Sequence, residues 1–332
     1  MIVCKFGGRA TTNKDGIKNI KRVSKKCGRK VLVFSAIGKS EDDDEKLTDL
    51  LIEYYEKQKQ SNDILLKIKK KIETLQVLTG VKIDLEYYLN KIKRSKDKNY
   101  MVSRGEFLTT KIMSKYLGIK FVPAEDVICF YRGKLDLNKT RERLIKYTGI
   151  YKNFCTCGFY GKDLFNNKIV LFDRGGGDTS GAIIAKLLGA KVYENYSDVS
   201  GVKEVSPNII NDAKTIKKIC YGDMLILSQY GGNVLHKSVS EILKNTKIKT
   251  KIINIFKLND KKTIVCQKCG FAQFIGHKKY NNKIKIIIKT KNKNIKKLKN
   301  ICQNKYFYYF FADGNNYENK IIEIYNFLFK RG

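Results

Sequence analysis

The sequence predicts an α/β protein: a three-layer αβα sandwich with a mainly parallel sheet, followed by a small α+β domain. Three observations carry this. Apolar strand-like runs alternate with helix-period segments through the first 256 residues, a pattern that builds parallel sheets covered on both faces. Glycine-rich loops stand at the carboxyl ends of those strands, where ligands bind on such sheets. From residue 257 to 332, strand and helix patterns alternate on a smaller scale. A chain of 332 residues is long enough for this two-domain division, 1–256 and 257–332.

In order, Ile2–Phe6 reads as a strand leaving through Gly7-Gly8, with a polar helix near Gly16–Cys27. Val31–Ser35 is a second strand ending in Ser35-Ala36-Ile37-Gly38-Lys39. Lys46–Lys98 is helical in period, with Leu47, Leu50, Leu51 and Tyr54, then Ile64, Ile68, Ile72 and Leu75. A helix is expected from Gly105 to Leu117, stopped by Gly118, so that Ser103-Arg104-Gly105-Glu106 opens it. Extended segments follow at Lys120–Pro123, Asn153–Tyr160 and Ile169–Phe172. Then come Asp173-Arg174-Gly175-Gly176-Gly177-Asp178 and a helix over Thr179–Leu188. Lys251–Phe256 is the last strand of the large domain. Lys257–Asn282 reads as irregular. The small domain takes a strand at Lys283–Lys289, a helix at Asn294–Cys302, a strand at Tyr306–Phe311 and a helix at Tyr317–Lys330.

Bulk properties exclude several classes. No apolar run reaches the roughly 18–20 residues that span a bilayer, and Met1–Gly8 lacks a signal pattern, so a cytoplasmic protein is expected. The formal charge of +35 is spread along the chain among Asn and Ile, as in Lys283–Lys289, and no helix-turn-helix or RNA-recognition pattern accompanies it. That is a composition bias that favours polyanions in general, not a specific nucleic-acid partner. Nine cysteines lie mostly in apolar runs and read as reduced, buried thiols. Cys266-Gln267-Lys268-Cys269, with His277 and Cys302 beyond, carries only one close pair; the reading taken is ordinary thiols in a loop, with no metal ligands.

The chemistry-bearing segments each have a plain alternative. Lys5-Phe6-Gly7-Gly8 can cradle an anion, with Lys5 supplying charge. Standing alone it reads first as a strand–turn junction, and no Gly-Lys-Ser/Thr makes it a Walker A loop. Three glycines before a helix make a second cradle, beside which Arg174 can grip a carboxylate. Asp178 is either a helix N-cap or an organiser of lysines around a phosphate. Glu106 is either a first-turn acid or a partner for an ammonium group. Ser35 and Thr48 are caps or ligand contacts. His236 is a local structural group. Two cradles, a lysine, an arginine and an acid suited to an amine point together to phosphoryl transfer from a nucleotide to a zwitterion. A carboxylate acceptor needs no general base, which fits a chain with two histidines.

An ordered set of segments across about residues 1–256 resembles aspartate kinase of the amino-acid kinase family. These are Lys5–Gly8; Ser35–Lys39 with Lys46–Leu51; Ser103–Glu106; Gly158–Gly161 leading to Arg174–Asp178; Tyr193–Gly201; and Leu227–His236. The resemblance implies the amino-acid kinase fold, ATP as phosphate donor with Mg2+ entering on it, and aspartate as acceptor. It implies that Lys5, Phe6, Gly7, Gly8, Gly175, Gly176, Ser197, Asp198, Lys203, Asn208, Asn233 and Val234 line the nucleotide side. Ser35, Thr48, Glu106 and Arg174 would hold aspartate, and Lys5, Asp178 and Arg174 would be catalytic. It further implies a homodimer, an amino-acid effector, and a C-terminal region like an ACT regulatory domain, here shortened. Where the family has Thr-Ser, this chain has Arg9-Ala10; Gly177 replaces a serine, Tyr196-Ser197-Asp198 stands for Trp-Thr-Asp, and Ser206-Pro207-Asn208 stands for Asp-Pro-Arg. Two alternatives accompany this reading: a kinase of the same fold with another amino-acid-like acceptor, and a catalytically degenerate regulatory subunit.

Overall fold

The computed structural model describes residues 1–332 except 41–42, 58–59, 174, 233, 299–300, 305–306, 315 and 330–332. The chain forms two compact units: Met1–Asp198 with Asn254–Leu258, and Val199–Ile253 with Asn259–Gly332.

The first unit runs β1 (Ile2–Phe6), α1 (Lys14–Ser24), β2 (Arg29–Phe34), α2 (Leu47–Glu56), α3 (Asn62–Thr79), α4 (Leu85–Arg94), α5 (Lys98–Leu117), β3 (Lys120–Phe121), β4 (Cys129–Tyr131), β5 (Lys134–Leu135), α6 (Leu137–Ile150), β6 (Phe154–Cys157), β7 (Tyr160–Asp163), β8 (Ile169–Leu171), α7 (Gly176–Leu187) and β9 (Val192–Ser197). β9, β1, β2, β6 and β3 pair in that order, every pair parallel. The core of β2, Val31, Leu32, Val33 and Phe34, is apolar and fully buried, as in a parallel sheet covered on both faces. A smaller sheet of order β5-β4-β7-β8 stands beside them.

Helix boundaries follow local chemistry. Asn13, Asp84, Asp97 and Asp136 each accept a first-turn N–H, and Gly80 and Gly118 end α3 and α5 at φ of 68° and 65°. α1 buries Ile17, Ile20 and Val23, one apolar stripe under a lysine-rich outer face. One boundary differs from expectation: Ser103-Arg104-Gly105-Glu106 does not open a helix. Asp97 caps α5 eight residues before Gly105, so these residues lie in its interior and are buried.

The second unit runs β10 (Lys218–Cys220), α8 (Tyr221–Gln229), α9 (Lys237–Leu243), β11 (Lys249–Asn254), β12 (Thr263–Cys266), β13 (Phe274–Tyr280), β14 (Lys283–Lys289), β15 (Cys302–Gln303), β16 (Tyr308–Asp313) and α10 (Tyr317–Leu328). β12 pairs parallel with β10 and antiparallel with β11. An antiparallel sheet, β13-β14-β16-β15, packs Ile275, Ile286, Ile288 and Phe310 with Ile321, Ile324 and Leu328 of α10. This is the small α+β element anticipated at the C-terminal end.

Three expectations are corrected here. Lys257–Asn282 is not irregular, since it holds β12 and β13, short strands whose polar flanks hide the alternation. Asn294–Cys302 is not a helix. A 3₁₀ turn over Lys293–Lys297 is anchored by Ile295 alone, and like charges at Lys293, Lys296 and Lys297 oppose a longer one. Cys266 and Cys269 are not free thiols but form a disulfide; Cys4, Cys129, Cys155 and Cys157 are free and buried as expected, whereas Cys220 is free but half-buried, and Cys27 and Cys302 are free but exposed. Among the described residues no helix is long and apolar enough to cross a membrane.

Candidate active site

The site is built on the ends of three parallel strands. Phe6, Phe34 and Tyr196 are the register partners closing β1, β2 and β9. Their rings stack in a row, with Phe6 5.1 Å from each neighbour. Each contact adds about 0.5–1.5 kcal/mol beyond its burial. Beneath, Glu194 Oε2 accepts from Arg29 (2.7 Å), the Tyr196 hydroxyl (3.0 Å) and the Cys4 thiol (3.5 Å), which fixes the row from below. The residues that follow the row are Gly7, Ser35 and Ser197, the first residues of the site loops.

The opposite face of the same strands carries charge. Lys5 and Asn195 are register partners, and both reach Asp178 in the first turn of α7. Lys5 Nζ lies 2.8 Å from Asp178 Oδ1, and Asn195 Nδ2 donates to the same oxygen at 3.1 Å. Asp178 is therefore not the N-cap. Gly175 holds that position at φ 79°, which leaves Asp178 to turn inward onto Lys5. The N-terminal end of α7 carries the positive end of the helix dipole and so favours an anion.

Glycine lets the loops touch. A Cβ on Gly8 would stand 2.3 Å from the Ala36 carbonyl oxygen, and one on Gly38 2.7 Å from the Arg9 nitrogen, so the two strand-end loops interlock backbone to backbone. A Cβ on Gly177 would meet Ser35 Oγ at 2.6 Å and Lys5 Cε at 3.4 Å. Gly7 donates its N–H to the Tyr196 carbonyl (2.9 Å), so this amide is committed to the backbone rather than to a ligand. Lys71 of α3, buried, donates to the Gly38 carbonyl at 3.2 Å and pairs with Asp43, which ties the second loop down. Phe159 adopts φ 78°, held by its N–H on Ser180 Oγ (2.9 Å) and by Phe172 N–H on its carbonyl (2.7 Å).

Glu106 comes from α5. Gly105 brings the helix against Ala36, where a Cβ would be 3.1 Å from the alanine's own. The Glu106 carboxylate meets the Ala36 N–H, yet Oε2 is buried with no hydrogen-bond partner. Burial raises its pKa to about 8, against the lowering pull of that N–H, Arg104 and Lys5. A buried carboxyl with an open oxygen, next to Ala36 and within the electrostatic reach of Lys5, is complementary to a small cation or an ammonium group. Arg104 itself packs between Tyr100 and Phe107, 4.3 and 4.4 Å from their ring centres, as part of the core. Thr48 is the second residue of α2 and makes no cap; the neighbouring Leu47 N–H joins the Ile37 carbonyl at 3.1 Å.

Lys5, Ser35, Gly177 and Asp178 thus come together, with Glu106 within the electrostatic reach of Lys5; Gly7 and Gly8 follow the strand that carries Lys5, Phe6 turns its ring into the stacked row, and Gly175 and Gly176 start the helix that carries Asp178. Ser197 and Asp198 continue β9 beside them, and Asp198 Oδ2 holds Arg9 NH1 at 2.6 Å. Lys203, Asn208 and Val234 belong to the second unit. There Lys203 Nζ donates to Thr215 Oγ1 (3.0 Å), Asn208 is exposed and Val234 is half-buried. His236 caps α9 through Ser238, a local role as expected. Arg174 and Asn233 lie outside the described residues. Asn195 and Lys71 were given no role by sequence reading, and Gly38 was read only as part of the Ser35–Lys39 loop. A polar Asn195 inside an apolar strand, level with Lys5, was the available signal; Lys71 looks like any lysine on a lysine-rich helix.

Interlocked glycine loops at the carboxyl ends of a parallel sheet, a lysine–aspartate pair and a glycine-started helix define an anion-cradling αβα protein. The sequence model of the Amino acid kinase family matches residues 1–254, and the chain belongs to that family. It is 26% identical over 282 residues to the aspartokinase of Rickettsia prowazekii, covering 81% of this chain and 55% of the relative. To aspartokinase 3 of Bacillus subtilis it is 29% identical over 272 residues, covering 71% and 57%. The chain spans about half the length of the curated relatives it matches, 47% for that of Rickettsia felis. Its fold is like that of aspartate kinase from Clostridium acetobutylicum, with a TM-score of 0.83 at 22% identity over 98% of this chain and 99% of that one. It is also like E. coli aspartokinase III solved with lysine and aspartate, with a TM-score of 0.81 at 15% identity over 99% and 100%.

Proposed function

We propose that this protein is an ATP-dependent aspartate kinase, which transfers the γ-phosphate of ATP to the β-carboxylate of L-aspartate. The observation that carries this is Glu106. A buried carboxyl with one unpartnered oxygen, held at the Ala36 N–H within the electrostatic reach of Lys5, fits the ammonium group of an amino acid next to a phosphate cradle. The relatives from Rickettsia felis, Rickettsia prowazekii and Bacillus subtilis, each named an aspartokinase, support the same substrate.

In this reading Ser35, Thr48, Glu106 and Arg174 hold aspartate, with Glu106 on its ammonium and Arg174 on a carboxylate. Lys5, Phe6, Gly7, Gly8, Gly175, Gly176, Ser197 and Asp198 serve the nucleotide, with Lys203, Asn208, Asn233 and Val234 of the second unit. Lys5 neutralises charge that develops on the transferred phosphoryl group, while Asp178 and Asn195 hold its ammonium in place. The acceptor carboxylate is already ionised, so no base is required. Mg2+ would arrive on ATP and be held by phosphate oxygens and water; among the described residues no group of three His, Cys, Asp or Glu side chains forms a cage of its own. The functional boundary is placed at residues 256/257, with an ACT-like regulatory part beyond it, an amino-acid effector, a cytoplasmic homodimer, and a place in lysine, threonine and methionine biosynthesis.

The test is an ATP- and magnesium-dependent hydroxamate assay across amino acids. Signal with aspartate alone supports the assignment. Signal with a different amino acid transfers the site to that acceptor, and none from folded protein leaves the degenerate regulatory subunit.

A further inference from the structure

Arg9 is unused by the reading above. Its backbone is fixed: it follows Gly8, which is locked against Ala36 and Gly38, and precedes Ala10 and Thr11, both buried. Ala10 N–H returns to the Gly7 carbonyl (3.0 Å), and Thr11 Oγ1 donates to the Gly8 carbonyl (2.8 Å). From this rigid stem the side chain stands 56% exposed and, among the described residues, pairs with Asp198 at the end of the adjacent strand, with Asp44 in its electrostatic reach. A guanidinium fork thus lies across the ends of β1 and β9, directly after Lys5-Phe6-Gly7-Gly8.

We infer that Arg9 is a phosphate-binding residue, exchanging the Asp198 carboxylate for phosphate oxygens of a nucleoside triphosphate. This rests on the kinase reading of the same site. The exchange is favourable on physical grounds. An exposed carboxylate pair contributes little, because water and salt screen it and both side chains lose freedom. A polyphosphate offers more charge and a bidentate fit to the planar fork. Lys5, whose ammonium Asp178 holds beside the transferred phosphoryl group, leaves the rest of the polyphosphate charge for a second cation. The carboxylate of Asp198 keeps the fork oriented until a nucleotide enters.

The experiment is calorimetric binding of ATP and of adenosine to the wild type, Arg9→Ala and Arg9→Lys, with melting curves for each. The inference expects Arg9→Ala to weaken ATP about tenfold or more, to leave adenosine unchanged and to melt like the wild type. Arg9→Lys should recover part of the loss, and the salt dependence of ATP binding should be shallower in Arg9→Ala. If Arg9→Ala binds ATP as the wild type does, or loses ATP and adenosine equally, Arg9 is a surface tie and the inference is wrong. If the wild type binds neither ligand, the kinase reading fails and takes the inference with it; the two failures are thereby distinguished.

Discussion

The buried carboxyl of Glu106 makes ligand affinity and stability respond to pH in opposite senses. Its pKa of about 8 means that at neutral pH it is mostly protonated, and an ammonium must displace that proton. Aspartate affinity should therefore rise up to about tenfold per pH unit below 8 and flatten above it. Glu106→Gln should bind more weakly and lose the slope, which a pH series of KM for aspartate would read. For stability the sign reverses. The folded pKa lies above the unfolded carboxyl value, so the stabilisation is complete at low pH and is lost as pH rises through 8. Wild type relative to Glu106→Gln should lose on the order of 3 kcal/mol between pH 5 and 8 in denaturant titrations. Lys5→Ala should abolish phosphoryl transfer, and the largely buried Asp178 carboxylate left without its lysine should cost about 3 kcal/mol. The double variant Lys5→Ala, Asp178→Asn should recover part of that stability, as a double-mutant cycle would show. At this scale the sequence exposes Lys5, Glu106 and Asp178 through their motifs. It hides Asn195 and Lys71, because their partners lie 17 residues and 33 residues away and only the pairing of elements brings them together.

Elements were legible where apolar period and punctuation agree. β1, β2 and β14, and the stop at Gly118, follow this rule. The start of α5 was missed because Asp97-Lys98-Asn99-Tyr100 carries no apolar stripe; its cap, Asp97, is visible only once its side chain is seen on Tyr100 N–H. β12 and β13 were missed because β12 has only 4 residues between polar flanks and β13, of 7 residues, is polar in its second half. The glycines give a prediction at this scale. Gly8→Ala places a methyl on a carbonyl oxygen that cannot retreat, and should abolish ATP binding while shifting the melting temperature down. Gly149→Ala, in α6 with nothing within 4 Å of the new methyl, should instead raise stability by about 0.5–1 kcal/mol. Thermal melts of the two variants check the contrast.

Taken whole, the molecule carries a formal charge of +35, most of it on exposed lysines. Like charges repel in the compact state and salt screens them, so the melting temperature should climb by a few degrees between low salt and about 0.15 M, before other salt effects enter. A flat or falling curve would show that the charges are locally paired. The fold class was legible at this scale because strand–helix alternation is a whole-chain property. The compact units were not, since the chain leaves the first at Asp198 and rejoins it at Asn254.

The interlocking of Gly8 with Gly38 has a thermodynamic consequence. The loop assigned to the nucleotide and the loop that leads to Ser35 share one backbone contact with no side chain between them, so neither can settle without settling the other. Occupancy of one side then prepays ordering on the other, and the two ligands should bind with positive cooperativity. Linkage makes that effect reciprocal: the factor by which ATP sharpens aspartate binding must equal the factor by which aspartate sharpens ATP binding.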